Sequence, residues 1–275
     1  MNKKIIFVIC GLLVVVVAGF FIVNPFKKTA KEPESSVPQA SSEVVLINSL
    51  AISDRPYIIL EPRSAIESQS LGHWVTATWE DAKNFDRCEY EFEYTNGLMI
   101  QGGMGKVDFS EEKPPVSKEI AFGSASKGKY KYDEGVNKGS FTFHYFSGNA
   151  ESVLKTDFNL TKKETSDQTI TSPDNKATLV SSQTDISLGD FVISFSTLGL
   201  PMPQDGEIIS GPYGFYSDNS KTFRNSQLKF NDISESKVTI LAWDGKSWQS
   251  LDTQVSQNQA SADIGKFGTF VLVKK

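Results

Sequence analysis

The sequence predicts an all-β protein, with two tandem β-sandwich domains behind a single N-terminal transmembrane helix. The first observation is an uncharged apolar run of 19 residues, 5–23. The second is that short stretches of alternating apolar and polar residues, separated by Gly, Asn, Asp and Ser, recur from residue 45 onward. Such alternation is typical of strands with one buried face. The third is that this region shows no sustained 3.6-residue period, which an amphipathic helix requires.

The N-terminal segment predicts a signal-anchor. Residues 1–4 form a short basic cytoplasmic lead, and at about 1.5 Å per residue a helix over 5–23 matches the thickness of a bilayer. A cleaved signal peptide is the alternative, because Ala18 offers a small residue for signal peptidase. The apolar run continues to Val23, so cleavage at Ala18 would leave an apolar N-terminus on the mature protein. We therefore favour an uncleaved anchor.

Lysines flank the span on both sides, so the positive-inside rule does not decide its orientation. A very short basic lead followed by a span is nevertheless typical of a signal-anchor. We therefore expect a single-pass protein of the cell membrane that contacts the lipid bilayer through residues 5–23 and keeps its C-terminal domains extracytoplasmic. Residues 24–44 are rich in Ser, Pro and charge and cannot bury enough apolar surface to become ordered. They predict a flexible stalk.

The remaining chain is long enough for two domains of about 110 residues each. We assign residues 45–162 to a first β-sandwich and residues 177–275 to a second. The boundary is residues 163–176, which are polar and lack apolar periodicity.

In the first domain, four alternating runs predict strands with one core face. Their inward residues are Val75, Ala77 and Trp79; Cys88, Tyr90, Phe92 and Tyr94; Phe141, Phe143 and Tyr145; and Leu154, Thr156, Phe158 and Leu160. The runs Val75-x-Ala77-x-Trp79 and Tyr90-x-Phe92-x-Tyr94 resemble a fibronectin type III domain over Pro56 to Leu160. The Gly- and Pro-containing stretch 101–128 departs from that pattern and leaves the strand topology there open.

Two sets of charged residues alternate along their own strands. The carboxylates are Glu89, Glu91 and Glu93, and the lysines are Lys127, Lys129 and Lys131. Carboxylates spaced roughly 6.5 to 7 Å apart on one strand face cannot chelate a single ion unaided, so we interpret the first set as a solvated face. We expect the two sets to lie on neighbouring strands and to pair across them.

In the second domain, seven strands are predicted. Their ranges are 177–181, 190–196, 207–217, 227–231, 238–243, 247–251 and 268–274. Asp244-Gly245 lies between two tryptophans and favours a tight hairpin. With a four-residue loop, Trp243 lies opposite Trp248, whereas a two-residue loop pairs Trp248 with Leu241.

Several motifs of the second domain match one family. They are Gly211-Pro212-Tyr213, Thr222-Phe223, Leu228-x-Phe230, Ile240, Trp243-Asp244-Gly245 with Trp248 and Leu251, and a closing Ala262-x-Ile264-x-x-Phe267-x-Thr269-Phe270-x-Leu272. The segment resembles the β-sandwich module of bacterial surface proteins that is related to the ankyrin and netrin-receptor type domain. The resemblance implies a structural or interaction module without catalytic residues. Gly265-Lys266-Phe267 departs from the family, in which a His-Phe pair is more usual.

Charge and cysteine content exclude several classes of function. The formal net charge is −5, which has the wrong sign for binding nucleic acid. Cys10 lies in the apolar run and Cys88 in the body, so the two cannot form a disulfide framework or a cysteine-based zinc site. We expect no metal and no cofactor.

We expect no enzyme activity, because no catalytic constellation is recognisable. The two histidines, His73 and His144, show no ligand spacing. Ser124 and Lys127 form an S-x-x-K, but this pattern recurs elsewhere in a chain rich in Ser and Lys, and no K-T-G accompanies it. A hydrolase or transpeptidase of the envelope is therefore the third-ranked hypothesis.

The first-ranked hypothesis is a membrane-anchored structural or interaction protein of the cell envelope, with envelope proteins or glycans as partners. The second is a carbohydrate- or peptide-binding protein that uses exposed aromatic residues. Its candidate ligand-facing residues are Trp74, Phe146, Tyr213, Phe215 and Tyr216. Three of these aromatics fall within 211–216 and alternate between both faces of one strand, so burial on both faces is the alternative.

Overall fold

The computed structural model describes residues 47–63, 72–97, 99–127, 129–166, 168–181, 185–218 and 222–274. The predicted lead, the predicted transmembrane helix 5–23 and the predicted stalk 24–44 lie outside these residues. Within the described ranges, no helix has the length and apolar character needed to cross a membrane.

The described residues form an all-β structure, as predicted, with one short 3-10 helix at Ile52–Asp54. The strands are β1 (Ile58–Pro62), β2 (Trp74–Trp79), β3 (Arg87–Thr95), β4 (Ile100–Asp108), β5 (Val116–Ala121), β6 (Gly123–Ser126), β7 (Lys129–Tyr132), β8 (Lys138–Ser147), β9 (Ala150–Lys162), β10 (Gln168–Thr171), β11 (Ala177–Ser181), β12 (Phe191–Ser196), β13 (Ile208–Ser217), β14 (Ser226–Phe230), β15 (Val238–Trp243), β16 (Trp248–Ser250), β17 (Gln254–Ser256), β18 (Gln259–Ile264) and β19 (Gly268–Lys274).

Across the described ranges these strands form four sheets. The long sheet has the order β16-β15-β19-β13-β12-β9-β8-β3-β4, the front sheet β1-β2-β5, the back sheet β10-β11-β14-β18-β17, and the hairpin sheet β6-β7. All strand pairings within the sheets are antiparallel, which permits short connections between sequential strands.

The long sheet carries a hydrophobic core on each face. β12 shows this directly, because its neighbouring residues point in opposite directions: Ile193 and Phe195 enter one core, and Val192 enters the other. The first core packs between the long sheet and the front sheet and includes Trp79 and Phe143, both fully buried. The second packs between the long sheet and the back sheet. The body is therefore a staggered three-layer arrangement of sheets.

The inward residues predicted for the first domain are buried, apart from Phe92, which is half-buried and packs against the first core. Val75, Ala77 and Trp79 are fully buried, as are Phe141 and Phe143. Thr76, predicted to point outward, is also buried, with 2 % exposure.

The predicted strands of the second domain match observed strands within about one residue at each end, and three strands are additional. Two of these, β17 and β18, follow the Trp243–Trp248 hairpin. The third, β10, lies inside the predicted linker 163–176 and contributes one apolar residue, Ile170, to the second core. A single apolar residue gives too little alternation to predict a strand.

The predicted division into two domains stays a prediction. The residues from Val45 onward cluster into one compact unit. Strands from both sides of the predicted linker lie side by side in the long sheet, where Phe158 of β9 pairs with Phe195 of β12.

The described chain begins beside the first half of β9. Ile47 forms a parallel bridge with Val153, and the Asn48 amide nitrogen donates to the Val153 carbonyl at 2.9 Å. The Asn48 side chain also accepts a hydrogen bond from the Lys155 amide at 2.9 Å. These contacts hold the first described residues against β9.

Candidate interaction surface

The back sheet covers the outer face of the long sheet at one end only. Its first strand, β10, ends against β9 and β12, where Asn159 Nδ2 and Ser194 Oγ donate to the Thr171 carbonyl at 2.9 and 2.8 Å. Beyond β10 the outward residues of β3, such as Glu91 and Glu93, are exposed. The boundary between the covered and the uncovered parts forms a step.

A groove follows this step. It has a volume of about 1060 Å³, and its lining includes Lys138, Asn159, Lys162, Gln168 and Phe191. We call it the step groove. A second depression of about 320 Å³ shares Lys138 and Asn159 with it and continues to Glu93 and Ile100 on the uncovered face.

The lining of the step groove is largely polar and carries both signs of charge. Lys138 and Lys162 contribute cations, and Glu134 and Glu164 contribute carboxylates. Small-molecule pockets are mostly apolar, with a few polar groups that fix the orientation of the ligand. An open and largely polar groove instead suits an extended polar partner.

His73, which lines the step groove, belongs to an aromatic cluster with Trp74, Tyr130 and Tyr132. The His73 ring stacks on Tyr132 with centroids 5.0 Å apart, and Tyr132 stacks on Tyr130 at 5.9 Å. Trp74 lies edge-on to both tyrosines and donates from Nε1 to the Tyr132 hydroxyl at 3.2 Å. Tyr130 is 47 % exposed. We call this group the rim aromatic cluster.

The loop at the end of the groove is held by a buried tyrosine. The Tyr94 hydroxyl donates to Asp133 Oδ2 at 2.7 Å, and His73 Nδ1 lies 2.9 Å from the Asp133 carbonyl oxygen. Burial, together with the neighbouring carboxylate, raises the pKa of Tyr94 well above its ordinary value. Tyr94 therefore stays protonated and keeps donating this hydrogen bond at neutral pH.

The five aromatic residues predicted to face a ligand lie in different places in the structure. Trp74, Tyr213 and Phe215 are buried, with 6, 5 and 0 % exposure. The Tyr216 hydroxyl bonds to Tyr57 in the interior. Phe146 is half-buried beneath a guanidinium, since Arg87 Cζ lies 3.9 Å from its ring centroid.

Of this set, Trp74 alone belongs to the rim aromatic cluster, where it lies edge-on to Tyr130 and Tyr132. Tyr213 and Phe215 enter the second core, while Tyr216 packs against the first core from the opposite face of β13. These residues do not form one surface.

The predicted pairing between the alternating carboxylates and lysines is wrong. β3, which carries Glu91, lies between β4 and β8, so the residues opposite Glu91 are Met104 and Thr142. The lysines lie in the separate hairpin sheet, where Lys129 pairs with Ser126. Matching charge alternation does not identify strand neighbours, because pairing depends on long-range topology.

The described residues bring together no metal-binding group of three or more His, Cys, Asp or Glu side chains. Ser124 lies on β6 opposite Lys131, and Lys127 lies at the hairpin turn with a positive φ of 49°. His144 lies on β8 with Nδ1 2.6 Å from Glu151 Oε1.

Sequence reasoning missed Tyr130 and Tyr132. The signal was present in Lys129-Tyr130-Lys131-Tyr132, where alternation places both tyrosines on one face of a short strand. The prediction for this strand instead used its alternating lysines, which were expected to pair with carboxylates.

No known protein family, no curated protein and no solved structure matches this chain. The resemblances to a fibronectin type III domain and to the module of bacterial surface proteins stay expectations drawn from sequence motifs.

Proposed function

We propose that this chain is a membrane-anchored extracytoplasmic protein of the cell envelope that works as a structural or interaction element. The observation that carries the interaction role is the step groove, an open polar channel on a rigid sheet. Its lining includes residues 159–162 of β9, which pair with residues 191–194 of β12, so this part of the groove is pre-organised and loses little entropy on binding. An extended polypeptide or glycan of the envelope is the partner that the groove suits.

Photo-cross-linking from a groove position tests this proposal. We would replace Lys162 in the full-length protein with a benzophenone amino acid and irradiate intact cells. Adducts with envelope proteins or glycans are expected from position 162. The matched control is the same substitution at Asp263, an exposed residue on the far side of the back sheet. Equal adducts from both positions, or none from position 162, would contradict a binding role for the groove.

Protease shaving of intact cells tests the location separately. We expect the region from residue 45 onward to be cut together with a known surface protein. If that region survives while the surface protein is degraded, the proposed extracytoplasmic location is wrong, whatever the groove binds.

A second function, carbohydrate binding, is favoured by one specific observation. Tyr130 is half-exposed and its ring is parallel within 4° to that of Tyr132, which in turn stacks on His73 in the lining of the step groove. A flat aromatic face beside polar groups suits a sugar ring, which has an apolar face and a hydroxylated edge. We would measure binding to isolated cell-wall glycan. Tyr130→Ala is expected to lower the affinity at least several-fold, and Phe146→Ala is expected to leave it unchanged.

A further inference from the structure

The strand β4 forms a free edge of the long sheet and carries an exposed apolar surface. Met104, Ile100 and Met99 are exposed by 81, 77 and 61 %, and they are the three most exposed large hydrophobic side chains of the described residues. Native proteins usually protect long edge strands with charge, proline, bulges or a covering segment. Here β4 pairs with β3 through nine continuous residues without a bulge. Residues 100–105 of β4 carry no charge and no proline, so this part of the edge is open to a pairing partner.

The hydrogen-bond pattern shows which residues of β4 point their backbone groups outward. At one end the Phe109 amide donates to Asp86 at 2.9 Å, and at the other the Asn96 amide donates to Met99 at 3.4 Å. In an antiparallel pair, hydrogen-bonded and non-hydrogen-bonded pairs alternate. The odd-numbered residues of β4 therefore bond to β3, and the even-numbered residues present their N–H and C=O groups to solvent.

We propose that a second copy of this chain pairs with β4 in antiparallel fashion, so that the two long sheets become continuous across a two-fold axis at Met104. An added antiparallel strand must align its outward-facing residues with those of β4, so even-numbered residues face even-numbered residues. Centring the axis on Met104 aligns the whole of Ile100–Asp108 with itself. Centring it on Gly102 would align only half of the strand. The Met104-centred pairing gains roughly ten backbone hydrogen bonds.

Side-chain chemistry also fits the Met104 axis. Met104, the most exposed large hydrophobic side chain of the described residues, meets its own copy, so each covers the other's apolar surface. In this register the partner's Lys106 lies opposite Gly102, and Gly102 lies opposite Glu93 of β3. Because Gly102 has no side chain, the partner's Lys106 ammonium reaches across it toward the exposed Glu93 carboxylate. This charge pair occurs twice, once on each side of the axis.

The second copy extends the proposed interaction role without using the step groove. The groove is lined by β9, β10 and the loop before β8, whereas the proposed contact uses the free edge of β4. Loss of groove binding and loss of edge pairing are therefore separate outcomes.

Cysteine cross-linking of the full-length protein tests the two-fold axis. In a Cys10→Ser background, Met104→Cys places two thiols across the axis, where paired Cα atoms lie about 5.5 Å apart. A short bis-maleimide is expected to give a covalent homodimer. Ile100→Cys is the matched control, since eight residues separate it from its copy by roughly 27 Å in this register. No dimer from Met104→Cys, or equal dimer from both variants, would overturn the proposal. A Met104→Cys adduct that mass spectrometry shows to contain another protein would overturn the second copy as occupant.

Sedimentation of the purified full-length protein in detergent gives an independent readout. The wild type is expected to dimerise, and Met104→Glu is expected to be monomeric, because two new carboxylates would face each other beside both copies of Glu91. Met202→Glu, at a methionine with 49 % exposure elsewhere on the surface, is expected to stay dimeric. A monomeric wild type, or a dimeric Met104→Glu with a native circular dichroism spectrum, would contradict the proposal.

Discussion

Three hydroxyl groups meet in the interior where the start of β1 touches the long sheet. Tyr57 Oη lies 3.1 Å from Tyr216 Oη and 2.9 Å from Thr269 Oγ1, and the last two groups lie 2.9 Å apart. The triad satisfies hydroxyls that would otherwise be buried without partners. The sequence could not predict it, because Tyr57 is separated from its partners by 159 and 212 residues.

Tyr57→Phe tests the contribution of this triad. The remaining Tyr216 and Thr269 hydroxyls still bond to each other, so the variant loses one donor without leaving an orphan. We expect the free energy of unfolding to fall by about 1 kcal/mol, measured by urea denaturation. Tyr130→Phe, at an exposed tyrosine, serves as the control and should change the value by less than about 0.5 kcal/mol. Equal losses of unfolding free energy in Tyr57→Phe and Tyr130→Phe would show that the triad adds no stability.

Within the long sheet, several glycines lie directly opposite aromatic residues on the neighbouring strand. The pairs are Phe92 with Gly103, Tyr90 with Gly105, and Phe195 with Gly214. A Cβ at these glycines would lie 2.8, 2.3 and 2.7 Å from atoms of the facing aromatic side chain. The ring therefore occupies the space above its glycine, an arrangement that compensates for the missing side chain.

Gly214→Ala is the sharpest test of this arrangement. Phe195 is fully buried and cannot swing away, so the added methyl group must displace packed core. We expect a loss of about 1 to 3 kcal/mol in the free energy of unfolding. Gly265→Ala is the matched control, because no atom lies within 4 Å of its added Cβ. A neutral Gly214→Ala would show that the core around Phe195 is loosely packed.

Local and non-local features differ in how far the sequence predicts them. The Trp243–Trp248 hairpin was predicted with two alternatives, and the structure has the four-residue loop, with the tryptophan rings 5.5 Å apart. The charged strand of Glu91 was assigned the wrong neighbours, because its pairing depends on which distant strands join the sheet. Short-range turn chemistry determines the first feature, and topology determines the second.

At the scale of the whole molecule, the staggered layers explain why the predicted aromatic site is absent from the surface. Alternation correctly placed Tyr213 and Tyr216 on opposite faces of one strand. It could not show that this strand, β13, lies in the middle layer, with packed residues on both sides. The step groove was equally unpredictable, because it arises from the offset between two sheets. The alternation that places residues such as Tyr130 on one strand face is visible in the sequence. The groove beside them leaves no such pattern in the sequence.

The same layering buries tyrosine side chains, and this burial predicts a loss of stability at high pH. Burial raises the pKa of six of the eight tyrosines, namely Tyr57, Tyr90, Tyr94, Tyr145, Tyr213 and Tyr216. In the unfolded chain these groups ionise near pH 10. Because the folded-state pKa values are raised, their stabilising contribution is complete below about pH 10 and is lost as the pH rises through the folded values.

We therefore expect the melting temperature to fall steeply above about pH 10, measured by circular dichroism. Absorbance at alkaline pH should show that most tyrosines ionise only together with unfolding. Ionisation of all eight near pH 10 while the native spectrum persists would contradict this expectation.

The contacts of Asn48 have a mechanical consequence. Any tension carried by the residues before Ile47 reaches the body through the short parallel bridge to β9 and the hydrogen bonds of Asn48. The Arg55 guanidinium also donates to the Asn48 carbonyl at 2.8 Å and ties this point to the turn ahead of β1. A pull along the bridge loads these bonds in shear, so that several must break together rather than one after another. If residues 24–44 form the predicted stalk, resistance to a pulling force is set by the rate at which these contacts open, and not by the equilibrium stability of either core.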